Sequence, residues 1–278
     1  MKQQTSNKVS YTKINHYWQN ATPSILGPYM MDGLGFPASA GQFRFQAECK
    51  IVKQLLQDQR INYNGLLDLG CGIGYWTEYF ARQFTKVTAV EASPPLFEAM
   101  VQRCSTYPNV NSVQGDVLLF EPEENYSMVF LGGMLMYLNE HDVVALLCRL
   151  LPFLEKGGMI LCRETTVREG TVIREGTYQA VYRSIQTYMN IFEKCNLKLI
   201  KTETNLPYNL LQMGCESMEK WQKITPKPLQ AIPIVGRLAY WGLRLCNPWI
   251  TRVPAVFNST FPELTNHFFL LRASNNYA

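Results

Sequence analysis

Three closely spaced glycines constrain the fold of this 278-residue chain more than any other feature. Residues 66–74 read LLDLGCGIG, an apolar run that ends in Gly70, Gly72 and Gly74. Glycine lets the backbone turn sharply and lets a ligand approach where a Cβ atom would clash. Aromatic residues recur every fourth position after the loop, so a helix begins near Gly74 and offers free N–H groups to an anion. The pattern predicts a strand, a ligand-binding turn and a helix.

Short apolar segments alternate with helical patterns along most of the chain. Strands are predicted at 66–71, 86–92, 110–116, 126–133, 159–165 and 197–203, with a helix at 43–58 before them and others between them, the last of which includes Val181 to Phe192. A seventh strand, 267–272, follows after some sixty residues without this alternation. Right-handed crossovers place helices on both faces of such a sheet. The predicted fold class is therefore α/β, with a doubly wound, mainly parallel sheet.

Two acidic residues stand where the second and third strands end. Glu91 comes 21 residues after Gly70, where a carboxylate can accept hydrogen bonds from both hydroxyls of a ribose. Asp116 ends the third strand, where a carboxylate can accept from an adenine amino group. The glycine spacing is GxGxG, one position shorter than the dinucleotide fingerprint GxGxxG. Open α/β sheets bind ligands at the carboxyl ends of their strands, which is where all three features lie.

This constellation resembles the class I S-adenosylmethionine (SAM)-dependent methyltransferases, and the motif DLGCGIG is specific to them. The resemblance covers about 66–205 and 267–273, and it implies a Rossmann-like sheet whose seventh strand is antiparallel. It implies SAM as the cofactor, and no metal is expected because the sequence has no acidic triad near the cofactor residues. In it Asp68, Gly70 and Gly72 hold the methionyl end, Glu91 holds the ribose, and Asp116 and the Val117 backbone hold the adenine. Leu131, Gly132 and Gly133, after strand four, line the methyl donor, and Cys71, Gly74 and Ala92 are further contacts.

The front segment, residues 11–45, partly resembles the α-N-terminal protein methyltransferases. The match rests on Tyr11, Tyr17 and Trp18, which resemble the arm that caps the cofactor in that branch, and makes Trp18 a candidate cofactor contact. The polar residues that the branch places after strand five are replaced by Thr165 and by a threonine at about 177. Its arginine after the glycine loop is replaced by Tyr75. The amine-binding chemistry is therefore not carried over, and the arm has a second interpretation as a surface helix packed on the sheet edge.

Charged and aromatic residues follow strands four and five on the edge where ligands bind. The predicted acceptor-binding residues are Arg163, Arg174, Tyr178, Tyr182 and Trp241, and the arginines favour an anionic group. The candidate catalytic residues are Tyr137, His141 and Glu164. The competing interpretations are a solvated charged loop for the arginines and a surface histidine at a helix start for His141.

The chain divides into three predicted parts. They are an arm and helix that cap the cofactor site (1–60), a methyltransferase domain (61–205 and 266–278) and an insertion that acts as a lid or acceptor-binding cap (206–265). The insertion leaves strand six and enters strand seven at the ligand edge, so it emerges over the site. Residues 220–257 pair aromatic residues with arginine and lysine, which suggests contact with a membrane surface. A packed elaboration and a dimer surface are the alternatives.

Composition narrows the functional classes. Hydrophobic residues make up 47% of the chain and charged residues 17%, so a packed core forms and wholesale disorder is excluded. Residues 1–219 carry a net charge of −2, which argues against nucleic acid as a partner. The eight cysteines lack CxxC spacing, so we expect reduced thiols. The polar N-terminus lacks a signal-peptide apolar region, so we expect a cytoplasmic protein. It would be peripheral to a membrane if residues 220–257 bind one.

These observations predict a methyltransferase that uses SAM to methylate a small-molecule acceptor at oxygen or nitrogen by in-line displacement. A lipid-like molecule or a secondary metabolite is the expected acceptor. The alternatives are a protein or peptide N-methyltransferase, an RNA methyltransferase and a non-catalytic cofactor-binding subunit. The sequence does not indicate an oligomeric state.

Overall fold

A computed structural model describes residues 8–23, 38–213 and 262–274, with short helical stretches at 237–238, 241–242 and 244–246. The helices are α1 (Tyr11–Gln19), α2 (Ala38–Gln57), α3 (Tyr75–Ala81), α4 (Pro94–Cys104), α5 (Glu140–Leu150) and α6 (Ile185–Lys194). The strands are β1 (Gly65–Leu69), β2 (Lys86–Glu91), β3 (Val110–Gln114), β4 (Tyr126–Gly132), β5 (Leu154–Val167), β6 (Thr171–Arg174), β7 (Ala180–Ser184), β8 (Leu197–Thr204) and β9 (Thr265–Ala273). Short 3-10 turns follow β4 at Leu135–Tyr137 and α5 at Leu151–Phe153.

The central sheet has the strand order β3–β2–β1–β4–β5–β9–β8. Neighbouring strands from β3 to β5 are parallel, and β9 runs antiparallel to both β5 and β8. The order reverses between β1 and β4, which is where a doubly wound sheet opens a crevice for ligands. The predicted mostly parallel α/β sheet with an antiparallel last strand is confirmed.

Both faces of the sheet are buried. Leu67 and Leu131 face an apolar cluster with α5 and α6, whereas Leu66 and Phe130 face a second cluster with α2 and α3. All four side chains are fully buried. Successive residues of a strand point to opposite faces, so a strand covered on both sides is a continuous apolar run, as 128–131 (MVFL) is.

A β-hairpin formed by β6 and β7 corrects the sequence prediction. Val181 was expected to begin a helix, because it lies four residues before Ile185, but it belongs to β7. It packs against Val9 and Ile14 from the region of α1. Strand β7 pairs with β6 and with the end of β5, so α6 begins only at Ile185, where the Ser184 side chain caps its first turn. Tertiary pairing thus overrides the helical spacing.

The segment between β8 and β9 lies mostly outside the described residues. Its first part, 206–213, is helical and largely buried. Most of 220–257, where membrane contact was predicted, is outside the described residues. In the parts of the chain that the structure describes, every helix is too short or too polar to cross a membrane.

Candidate cofactor and acceptor site

A cavity of about 600 Å³ opens at the carboxyl ends of the central strands. We call one side of it the glycine-loop end; it is lined by Gly70, Gly72, Glu91, Ala92, Asp116 and Val117. We call the other side the tyrosine end; it is lined by Met136, Tyr137, Arg163, Arg174, Tyr178, Tyr182 and Tyr208. Helix α1 contributes Tyr11, Ile14, Asn15, Trp18 and Gln19 to the wall.

The glycine loop has a backbone conformation that requires glycine. Gly70, Gly72 and Gly74 have φ values of 69°, 59° and 80°, in the left-handed region. A Cβ atom on Gly70 would lie 2.8 Å from the Met134 side chain. A Cβ atom on Gly74 would lie 2.7 Å from the Met100 side chain, on the side of the loop that packs on α4. The first two glycines therefore shape the cavity, whereas the third allows close packing behind it.

Glu91 ties the glycine loop to the end of β2. Its two carboxylate oxygens accept hydrogen bonds from the N–H groups of Gly72 and Ser93, each at 2.8 Å. Burial raises the pKa of Glu91. A carboxylate has about four lone-pair sites, so acceptor capacity remains toward the cavity that the side chain lines. The Ser93 hydroxyl in turn donates to the Trp18 carbonyl at 2.7 Å and so connects Glu91 with α1.

Asp68 lies behind the loop rather than in the cavity lining. Its Oδ2 accepts a hydrogen bond from the Thr77 hydroxyl at 2.7 Å, and its buried Oδ1 has no hydrogen-bond partner among the residues described. Burial raises the pKa of Asp68 to about 7, although the Thr77 hydrogen bond opposes this shift. The structure thus places Asp68 where it supports the loop from β1.

The loop after β3 presents Asp116 and Val117 to the cavity. Asp116 accepts a hydrogen bond from the Leu118 N–H at 2.8 Å, which closes a tight turn. Arg149, at the end of α5, donates to the carbonyls of Val117 at 2.8 Å and Leu118 at 2.6 Å. The turn is therefore held from behind by an arginine that sequence analysis missed, since no local pattern distinguishes it from a surface arginine.

Aromatic rings form the tyrosine end. The hydroxyls of Tyr137 and Tyr178 are hydrogen-bonded at 2.8 Å. From α1, Trp18 packs edge-on against Tyr137 at 5.3 Å, and Tyr17 packs edge-on against Tyr178 at 5.1 Å. Burial raises the pKa of Tyr137 and of Tyr178 well above 10, so both phenols stay protonated. The guanidinium of Arg174 lies 4.9 Å from the centre of the Tyr178 ring.

This geometry agrees with the comparison to known families. A family model described as AdoMet dependent proline di-methyltransferase matches residues 6–215, which include the glycine loop and both ends of the cavity. The chain belongs to this family. It is therefore a SAM-dependent methyltransferase.

Individual relatives are distant. The chain is 21% identical to the alpha N-terminal protein methyltransferase 1 of Drosophila melanogaster over 222 residues, 76% of this chain and 77% of that protein. It is 25% identical to phosphoethanolamine N-methyltransferase 3 of Arabidopsis thaliana over 154 residues, 54% of this chain but only 31% of that protein. A SAM-dependent methyltransferase from Leishmania major shares the fold, with a TM-score of 0.61, 16% identity and coverage of 70% of this chain and 76% of that one.

The residues of the methyltransferase fit SAM. Glu91 and Asp116 line the cavity as hydrogen-bond acceptors, which suits ribose hydroxyls and an adenine amino group. Gly70 and Gly72 line the cavity with backbone alone, so no side chain of theirs stands between the loop and a ligand. These residues therefore provide the acceptors and the backbone clearance that an adenosyl group needs.

The structure separates the predicted site residues into two groups. The residues that line the cavity are Trp18, Gly70, Gly72, Glu91, Ala92, Asp116, Val117, Gly132, Gly133, Tyr137, Arg163, Arg174, Tyr178 and Tyr182. Asp68, Cys71, Gly74, Leu131, His141, Glu164 and Trp241 are not among the lining residues. Leu131 is a fully buried core residue, and the Cys71 thiol is directed at the Gly72 carbonyl rather than at the cavity.

Two candidate catalytic residues are corrected. The His141 side chain is 91% exposed beside Asp142, at the start of α5, so it does not reach the cavity. Glu164 is fully buried beneath the wall, where its carboxylate accepts hydrogen bonds from the Leu135 N–H at 3.0 Å and the Tyr188 hydroxyl at 3.3 Å. Of the three candidates, only Tyr137 lines the cavity.

Trp241, a predicted acceptor contact, is 48% exposed and lies under the guanidinium of Arg244 at 5.2 Å. In its place, the helical residues 206–213 contribute Tyr208 and Gln212 to the cavity wall. The predicted cap thus contributes to the cavity through its first turns rather than through this tryptophan.

A buried polar cluster under the tyrosine end was also missed. Glu48 of α2 accepts from Arg163 at 3.2 Å and from the Asn205 side chain at 2.8 Å. Asn205 also donates to the Asn266 side chain at 2.7 Å, and Tyr208 lies 5.3 Å from the Arg163 guanidinium. These partners are far apart in the sequence, so no motif shows them. The cluster fixes Arg163 in the cavity wall.

Proposed function

We propose that this methyltransferase transfers the methyl group of SAM to a small-molecule acceptor bound at the tyrosine end of the cavity. The observation that carries the proposal is the continuity of the cavity, which joins Glu91 and Asp116 to Tyr137 and Tyr178 without an intervening wall. Its volume, about 600 Å³, is in the range of small-molecule sites.

The chain's residues mainly align the reactants and exclude water. SAM, when bound, supplies a methyl group that is already activated on its sulfonium. Glu91 and Asp116 set the position of the cofactor, and Met134 and Met136 add apolar surface to the cavity lining. The Tyr137–Tyr178 pair limits the space on the far side. Orientation and exclusion of water are the main contributions that a displacement at an activated methyl group requires.

The acceptor can be identified by label transfer. The purified enzyme is incubated with a metabolite extract and SAM labelled in the methyl group, and products are analysed by mass spectrometry. We expect a small molecule that is heavier than its precursor by one methylene group plus the isotope label, and no such product with a Glu91→Ala variant. Label found only in peptides or RNA would contradict the proposal.

A second candidate is methylation of a protein α-amine. The family description names proline dimethylation, and the Drosophila relative is an N-terminal protein methyltransferase. Against this candidate, the arginines at the tyrosine end disfavour a protonated amine, and Thr165 stands where that branch has a polar amide. Synthetic peptides that begin with proline test it directly, since methylated peptides would favour it over the small-molecule acceptor.

A further inference from the structure

The two ends of the cavity have opposite charge. The carboxylates that line it, among the residues described, are Glu91 and Asp116, and both lie at the glycine-loop end. The arginines that line it, Arg163 and Arg174, both lie at the tyrosine end. An acceptor molecule that occupies the tyrosine end therefore meets guanidinium and phenol donors.

The two arginines differ in their surroundings. Arg163 is buried and lies 3.2 Å from the Glu48 carboxylate, so its charge is partly compensated within the fold. Arg174 lies at the rim on β6, and within the described residues no carboxylate forms an ion pair with it. Arg174 is therefore the cation that remains available to a ligand.

The β6–β7 hairpin holds Arg174 in place before any ligand binds. Its guanidinium packs over the Tyr178 ring, 4.9 Å from the ring centre, and Tyr182 of the facing strand lines the same end of the cavity. The Tyr178 hydroxyl is itself fixed by Tyr137 at 2.8 Å. A preorganised guanidinium loses less side-chain entropy when it binds a ligand, and its planar fork matches a carboxylate or phosphate.

We propose that the acceptor carries an anionic oxygen group, a carboxylate or a phosphate, which binds Arg174 beside the hydroxyls of Tyr178 and Tyr182. This inference rests on the proposed function, because it names the chemical class of the small-molecule acceptor. It assigns the hairpin, which lies outside the seven-stranded sheet order, as the element that selects the acceptor.

Four probes with one aromatic ring and different charge test the site. Benzoate, phenyl phosphate, benzamide and benzylammonium are titrated into the enzyme saturated with S-adenosylhomocysteine, and binding is measured by ligand-observed NMR. We expect at least one of the two anions to bind about tenfold more tightly than benzamide, and benzylammonium to bind most weakly. The tighter of the two anions identifies the group as carboxylate or phosphate.

Variants locate the site. Arg174→Gln should remove the preference for anions, and Arg174→Lys should retain a smaller preference, because lysine keeps the charge but loses the fork. Arg82→Gln is the matched control: the Arg82 guanidinium also packs over a tyrosine, Tyr107 at 5.8 Å, but outside the cavity. Unchanged affinity for S-adenosylhomocysteine in all three variants shows that the fold is intact.

The inference is overturned if benzylammonium binds as tightly as benzoate and phenyl phosphate, or if Arg174→Gln keeps the full preference for anions. Either of these results would leave the proposed function untouched. Label transfer to peptides alone would overturn the small-molecule proposal whatever the probes show. Label transfer to a metabolite by an enzyme that shows no charge preference would overturn only the anion site.

Discussion

The Glu164 carboxylate and the Arg183 guanidinium hold opposite sides of the turn that carries Tyr137. Glu164 accepts a hydrogen bond from the Leu135 N–H at 3.0 Å, and Arg183 donates to the carbonyls of Leu135 at 3.0 Å and Leu138 at 2.5 Å. Both side chains are almost fully buried. Since Arg183 belongs to β7, the hairpin fixes the loop after β4 as well as its own residues in the cavity wall.

The Arg183→Met variant should be strongly destabilised. It leaves the carbonyls of Leu135 and Leu138 without their donor and removes the cation near Glu164. Breaking a buried charged contact of this kind costs about 3–5 kcal/mol in the free energy of unfolding, which urea denaturation measures. Arg82→Met, which breaks an exposed ion pair with Glu78, is the control and should cost less than about 1 kcal/mol. Equal losses in the two variants would contradict the role assigned to Arg183.

The affinity for SAM should depend on Glu91. In Glu91→Gln, an amide N–H₂ replaces one carboxylate oxygen and faces the N–H of Gly72 or Ser93, so the loop loses one of its two anchors. The loss of paired acceptors should weaken SAM binding by about 1–3 kcal/mol, or roughly 5- to 150-fold, as measured by isothermal titration calorimetry. Glu98→Gln, at an exposed position on α4, is the matched control. Unaltered binding by the Glu91 variant would remove Glu91 from the cofactor site.

Asp68 makes stability depend on pH. Burial raises the pKa of Asp68 to about 7 in the folded chain, whereas an unfolded aspartate titrates at about 3.9. Between these values the folded state holds a proton that the unfolded state has released, so the contribution of Asp68 to stability is complete below about pH 4 and is lost as the pH rises toward 7. Asp68→Asn should remove this slope, which is at most about 1.4 kcal/mol per pH unit.

Urea denaturation of the wild-type and variant proteins between pH 4.5 and 7.5 checks this dependence. As the pH rises, the unfolding free energy of the wild type should fall relative to that of Asp68→Asn. Asp58→Asn, at an exposed position, should show a nearly constant difference from wild type. A constant difference for Asp68→Asn as well would show that Asp68 is ionised throughout this range.

The glycine loop, Glu91 and Asp116 could be predicted from the sequence because each depends on a short pattern at the end of a strand. The β6–β7 hairpin could not, because Val181 and Ile185 fit a helical period and only the contacts of Val181 with Val9 and Ile14 favour a strand. The roles of buried polar groups could not be predicted from local patterns, because the partners of these groups are distant in the chain. Glu48 and Asn205, for example, are separated by 157 residues.

Gly70 offers a final prediction, because its neighbours leave no room for a side chain. In Gly70→Ala, the new Cβ atom would lie 2.8 Å from the Met134 Cγ, and the residue would keep a φ of 69°. The left-handed conformation alone costs an alanine about 1–2 kcal/mol, and the displaced Met134 would narrow the cavity that it lines. We therefore expect both a lower melting temperature and weaker SAM binding.

Gly115→Ala is the matched control, since a Cβ atom there meets no atom within 4 Å. Thermal unfolding with and without SAM separates the two effects, because a ligand that binds only the folded state raises the melting temperature by an amount that increases with its affinity. The Gly115 variant should keep the full shift with SAM, and the Gly70 variant should lose most of it. If the Gly70 variant kept the full shift, the inference that SAM approaches the backbone closely at this loop would be wrong. Strain in a turn that does not contact the ligand would lower the melting temperature but leave the shift with SAM unchanged.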